Sequence, residues 1–84
     1  MSYEVRIVRD AERDILRLPS AMVPRIVRAI RGLASDPRPQ GCKKLKGQRE
    51  VSWRIRVGSY RVIYVIDDGI RVVEVREVGD RKDV

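Results

Sequence analysis

Apolar and polar residues alternate with a period of two through the second half of this chain. Val51, Trp53, Ile55 and Val57 fall on one side of a predicted strand, and Ser52, Arg54 and Arg56 on the other. Gly58-Ser59 reads as a two-residue turn, followed by a strand from Tyr60 to Asp67. That turn fixes a register. Val57 faces Tyr60, Arg56 faces Arg61, Ile55 faces Val62 and Trp53 faces Tyr64, so the apolar pairs all share one face. Asp68-Gly69 reads as a second hairpin turn and Ile70 to Val78 as the last strand. There Ile70 and Val72 keep one phase while Val73 and Val75 keep the other. This fits either a central strand apolar on both faces or a bulge that shifts the phase.

The first half has a different period. Tyr3 to Val8 alternates and reads as a strand. Asp10 to Leu18 reads as a short helix with Ala11, Ile15 and Leu18 on one stripe, ended by Pro19. A second helix is predicted from about Ser20 to Ala34. Val23, Ile26, Val27, Ile30, Leu33 and Ala34 form its buried face, with Arg25, Arg28 and Arg31 opposite. Ser20 is a candidate N-cap, and Pro24 is the alternative mark of the first helical turn. The arginines read chiefly as a solvated helix face, with a docking surface as the sharper alternative. Asp36 to Gly41 breaks regular structure, and Lys43 to Arg49 reads as a basic loop. The order β-α-α-β-β-β predicts a single α+β domain spanning residues 1–84, with two helices packed on one face of an antiparallel sheet.

Charge sharpens this picture. The chain has 19 lysines and arginines against 12 acids, a net charge of +7. Most of the excess lies between Lys43 and Arg61, where seven bases meet only Glu50. Such concentration points to a polyanionic partner, since a merely soluble surface mixes its signs. Charged residues at 37% beside apolar residues at 43% suggest a folded domain with a heavily charged surface rather than a basic tail. The strand register places Arg54, Arg56 and Arg61 together on the face away from the core. Arg54 and Arg56 sit roughly 7 Å apart along their strand. Arg56 directly opposite Arg61 costs some tenths of a kcal/mol, about the size of a cross-strand pair term. That cost is intelligible if the face binds an anion.

The residues also exclude chemistry. The chain has no histidine and one cysteine, Cys42. A zinc site, an internal disulfide and histidine-based acid–base catalysis are therefore not expected. Asp67 and Asp68 precede Gly69 and read as turn residues rather than metal ligands. No signal peptide or membrane-spanning run is apparent, and the cytoplasm is the expected compartment. What remains is a cationic cluster able to stabilise the dianionic phosphorane of RNA cleavage by its own 2′-OH, without metal or cofactor. Passive nucleic-acid binding accounts for the same charge.

The run KKLKGQREVSWRIRVGSYRVIYVIDDG, followed by VVEVREVGDRKDV, closely resembles the RelE branch of the RelE/ParE toxin superfamily. The resemblance covers nearly the whole chain. It implies a toxin of a type II toxin–antitoxin pair that cuts mRNA in the ribosomal A site by 2′-OH attack and is blocked by an acidic antitoxin. It places the catalytic residues at Arg54, Arg56, Arg61 and Arg81. Lys43, Lys44, Lys46, Arg49 and Lys82 become the RNA- or ribosome-binding set. In many relatives the second-strand pair is lysine, with a proton-transfer role. Arginine at both places favours electrostatic stabilisation and makes Arg81 the candidate to steady the leaving group. Asp80 occupies the place of a histidine found in some relatives. Val84 is the last residue here, and the place of a tyrosine that stacks on mRNA in many relatives lies beyond it. Two other readings stay open: a ParE-like gyrase inhibitor and a catalytically impaired RNA-binding relative.

Overall fold

The period-two segments pair into one sheet. In the computed structural model, which describes residues 2–47 and 49–80, the order is β1 (Glu4–Ile7), α1 (Arg9–Leu16), α2 (Val23–Gly32), β2 (Lys43–Lys46), β3 (Val51–Val57), β4 (Tyr60–Asp67) and β5 (Val72–Asp80). The sheet runs β1-β5-β4-β3-β2. The α+β class with two helices on one face is as expected, but the sheet differs in two ways. The segment read as a basic loop supplies the extra strand β2, which pairs antiparallel to β3. β1 lies parallel to β5, so the sheet is mixed. A parallel pair needs a long crossover, and the two helices and three intervening strands provide it.

The core follows from the two periods. Ala11 of α1 and Ile26 and Ile30 of α2, with Leu33 just beyond, meet Ile55, Val62, Tyr64, Val73, Val75 and Val78 on the sheet. Those six sheet residues share one face because β3 and β4 pair as expected: Trp53 with Tyr64, Ile55 with Val62, Arg56 with Arg61, Val57 with Tyr60. Among the described residues the opposite face carries no helix. The helices are shorter than the spacing suggested. α1 stops at Leu16, with Arg17 as its cap, and Leu18 packs beyond it against the core. α2 takes Pro24 into its first turn after Met22, so Ser20 does not cap it.

β5 resolves the phase ambiguity both ways. It is flanked by β1 and β4, and a bulge shifts its register against Ile63 and Tyr64. Tyr64 pairs with Val75 and Ile63 with Glu77, so Arg76 is the inserted residue. The turn before β5 is also wider than Asp68-Gly69. Asp67 Oδ1 accepts hydrogen bonds from the amides of Gly69 (2.9 Å) and Ile70 (3.1 Å). Arg71 then takes the left-handed conformation, φ 57°. Ile70 therefore lies in the turn and is 67% exposed, instead of opening the strand. Where β1 ends, α1 takes over: Asp14 Oδ2 accepts the Val78 amide at 3.0 Å, which ties the last strand to the first helix. Among the described residues no helix is long and apolar enough to cross a membrane.

A polar clasp closes the other end of the sheet. Asp68 accepts the Tyr3 hydroxyl at 2.7 Å and both terminal nitrogens of Arg38, at 3.3 and 2.8 Å. Arg38 in turn lies over the Trp53 ring, 4.9 Å from its centroid, and Lys44 approaches the same ring at 5.9 Å. The hydrogen bonds from Arg38 and then Tyr3 hold the Asp68 carboxyl below the ordinary aspartate value. A carboxyl lowered in the folded state adds stability that is present above its unfolded pKa, about 3.9. It is lost as pH falls through the lower folded value. Asp68→Asn should therefore melt below wild type at pH 7, with the gap narrowing as pH drops toward 2. A gap independent of pH would mean the carboxylate charge contributes nothing.

Candidate active site

The face without helices carries the cationic cluster, set out in two rows across the sheet. The row nearest the Gly58-Ser59 turn runs Arg56, Arg61, Gly79 over β3, β4 and β5. The next runs Lys43, Arg54, Ile63, Glu77 from β2 to β5. Gly58 is needed at the turn because its φ is +61°, a conformation an L side chain resists. Gly79 pairs with Arg61, and a Cβ on it would meet no atom of the described residues within 4 Å.

Arg54 is half-buried, and its Nε is shut off from water with no hydrogen-bond acceptor among the described residues. A buried N–H without a partner is costly unless a ligand supplies one. Arg56 is exposed and Arg61 half-buried. Three guanidiniums and one ammonium thus project from paired strands, in positions set by backbone hydrogen bonds instead of loop conformation. This arrangement suits the non-bridging oxygens of a phosphate, which planar forked donors grip in pairs.

The structure divides the sequence-predicted binding set. Lys43 pairs with Arg54 and joins the cluster. Lys44 pairs with Trp53, and Lys46 with Val51, so both belong to the helix-side face and are not part of the cluster. The reason is β2 itself: once a strand, its neighbouring lysines must point to opposite faces. Lysines on this edge strand also discourage a further strand from pairing there. Arg49 is exposed in the bend between β2 and β3. Arg81 and Lys82 lie outside the described residues.

Three acids settle where the cationic face ends. Arg76 is held by carboxylates, with Nη1 3.1 Å from Glu50 and Nε 2.6 Å from Glu74. The second contact is an ion pair too bent to count as a hydrogen bond. Arg76 is therefore neutralised and stands apart from the cluster. Glu77 shares the face with Arg54 through Ile63 and is exposed. Sequence reasoning left Glu74 and Arg76 undecided and overlooked Glu77 and the placement of Lys43. The short spacing from Lys46 to Val51 around Gly47 was the available signal for a hairpin that would have placed Lys43. The bulge that places Glu77 left only the broken phase of the last strand.

Neither Tyr60 nor Tyr64 belongs to this face. Tyr64 is fully buried, and its hydroxyl donates to the Pro37 carbonyl at 2.7 Å. Burial, with the Cys42 thiol beside it, holds its phenol above the ordinary tyrosine value. Tyr60 is partly buried against the core. Among the described residues no group of three or more acids and cysteines is placed to hold a metal ion.

This geometry has counterparts. Residues 5–84 match the protein-family model described as the ParE toxin of the type II toxin–antitoxin system parDE. The chain is 38% identical over 80 residues to toxin RelE of Mycobacterium tuberculosis, covering 94% of this chain and 81% of that one. It is 33% identical over 85 residues to toxin RelG of the same organism, covering 100% of this chain and 97% of that one. Its fold matches an archaeal RelE–RelB complex from Pyrococcus horikoshii over the full length of both chains, with a TM-score of 0.85 at 27% identity. Two helices on one side of a five-stranded sheet thus match the fold of a known toxin, and the chain belongs to the RelE/ParE family of type II toxin–antitoxin toxins.

Proposed function

We propose that this toxin is a ribosome-dependent endoribonuclease that cuts mRNA in the A site by attack of the ribose 2′-OH, without a metal ion or cofactor. The observation that carries the reading is the convergence of Arg54, Arg56, Arg61 and Lys43 on one sheet face, with the Arg54 Nε buried and without a hydrogen-bond partner among the described residues.

In the reaction the 2′-OH gives its proton to water, the 2′-oxygen bonds to phosphorus as the bond to the 5′-oxygen breaks, and the 5′-oxygen takes up a proton from water. The products are a 2′,3′-cyclic phosphate and a 5′-hydroxyl. Negative charge grows on the two non-bridging oxygens between these events. Cations already fixed in place gain more from that growing charge than from the ground-state diester. Arg54 and Arg61 flank the phosphate, and Arg56 and Lys43 widen the field. Arginine holds its protons at any accessible pH, so these side chains act as electrostatic clamps and not as bases. Arg81, carried over from the family, steadies the leaving 5′-oxygen. The ribosome supplies mRNA in a fixed conformation, which relieves a small domain of the need to orient it. An acidic, partly helical antitoxin is the partner that covers the cationic face when the toxin is silent. RelE–RelB complexes among the structural relatives support that pairing.

The ParE description of the matching family favours testing gyrase as a second target. The protein is added to programmed ribosomes and, in parallel, to gyrase with supercoiled DNA. Cleavage within A-site codons, independent of chelator, is the expected result. Intact mRNA with gyrase inhibition would overturn it. Tight ribosome binding without cleavage would make the protein an impaired relative.

A further inference from the structure

We propose that the exposed face of α2 is a second RNA surface that grips the phosphate backbone of ribosomal RNA while the sheet face holds the mRNA. The proposal rests on the ribosome-dependent reading above and names the surface that meets the ribosome.

The exposed residues of α2 are Pro24, Arg25, Arg28, Arg31 and Gly32. Ile26 and Ile30, with Leu33 just beyond, face the core. Three arginines therefore stand on the outward arc, flanked only by a proline before them and a glycine after them. Their spacing of three residues each spans about 9 Å of helix axis. None has a carboxylate partner among the described residues, and no acid occurs between Ser20 and Ser35. α1 is different. Its exposed residues mix Arg9 and Arg13 with Asp10 and Glu12.

The first turn of α2 also runs against its own dipole. A helix N-terminus favours acids, as α1 has in Asp10 and Glu12, yet α2 has none there and carries Arg25. A fold selected for stability alone gains nothing from this placement; an anion at that end compensates it.

The row is joined to the sheet cluster. The Arg25 guanidinium lies over Gly58, close enough that a Cβ there would meet its nitrogens at 3.5 and 3.6 Å. Gly58 belongs to the turn whose strands carry Arg56 and Arg61 opposite each other. Arg56 also lines the groove between α2 and β3, beside Ala29 and Gly32. Positive charge thus continues from the sheet face around the turn and along α2.

The composition of the row selects RNA over a protein partner. Protein interfaces depend on apolar anchors set in pockets. The outward arc offers none, since the exposed large apolar residues are Ile7, Leu16, Val51 and Ile70, all outside α2. Phosphate backbones need only cations and exchange bound counterions for them.

The test measures binding of the full chain to programmed 70S ribosomes across salt concentrations, comparing wild type with a triple Arg25→Gln, Arg28→Gln, Arg31→Gln variant. The expected result is a loss of affinity on the order of 10- to 100-fold. The slope of log K against log salt should shrink by about 2 to 3, with the cleavage rate at saturating toxin unchanged. The corresponding triple lysine variant should keep the wild-type slope, because charge alone is recognised. If the glutamine variant does not fold, single exchanges replace it, each lowering the slope by about 1. A wild-type slope in the glutamine variant overturns the inference and leaves the endoribonuclease reading intact. So does a variant that loses only an acidic antitoxin peptide. Failure of wild type itself to bind ribosomes overturns the functional reading, and this inference with it.

Discussion

Replacing Arg61 by alanine should lower the single-turnover rate of A-site mRNA cleavage by about 10²–10³-fold while leaving ribosome affinity nearly unchanged. Arg61 lies in the row nearest the turn, between Arg56 on β3 and the side-chain-free Gly79 on β5. Both neighbouring strands pair with its backbone, which fixes the point on the sheet from which its side chain extends. Arg56→Ala should behave differently. It removes one member of an opposed like-charge pair, so thermal stability should rise by some tenths of a kcal/mol even as cleavage slows. Rapid-quench kinetics with saturating toxin, together with thermal melts, separate the two effects. An Arg61→Ala enzyme that loses affinity but keeps its single-turnover rate would reassign that residue to binding.

Tyr64 should dominate stability as Arg61 dominates rate. It is fully buried on the core side of β4, with Val62 and Val75 beside it in the core. Tyr64→Ala should cost about 3–5 kcal/mol, a large part of the roughly 5–15 kcal/mol that holds ordinary domains folded. Tyr64→Phe isolates the hydroxyl. It keeps the ring and leaves the part-buried Pro37 carbonyl without its 2.7 Å donor. About 1–3 kcal/mol should be lost in urea unfolding, with the denaturant slope unchanged. A loss below about 0.5 kcal/mol would mean that water replaces the donor at no net cost. The bond matters beyond stability, because Pro37 precedes Arg38, the link to Asp68 and Trp53. Loosening it should also disturb β2 and the position of Lys43.

The β3–β4 hairpin was legible almost residue by residue. Its register depends on a two-residue turn and a strict alternation, both local in sequence, and a one-residue slip would expose Trp53, Ile55 and Val62 together. The arginine face followed at once, because side chains opposite the core have nowhere else to go. Lys43 to Lys46 was not legible as a strand. Three lysines around one leucine bury little, and the strand exists because β3 offers an unpaired edge. The lysines could therefore be counted from sequence but not sorted. Pairing with β3 sends Lys43 to the Arg54 side and Lys44 to the Trp53 ring.

The charge, the two helices, the hairpin and the resemblance that names the family can all be read along the chain. Each rests on composition or on a period that repeats within a few residues. It took the folded chain to show that β1 lies parallel to β5, that a bulge sets Arg76 between two carboxylates, and that Arg25 reaches the turn below Arg56. These depend on which backbone edges remain unpaired after the local elements form, and on which charges then meet across the sheet. Such competition between distant segments leaves no periodic trace in the chain.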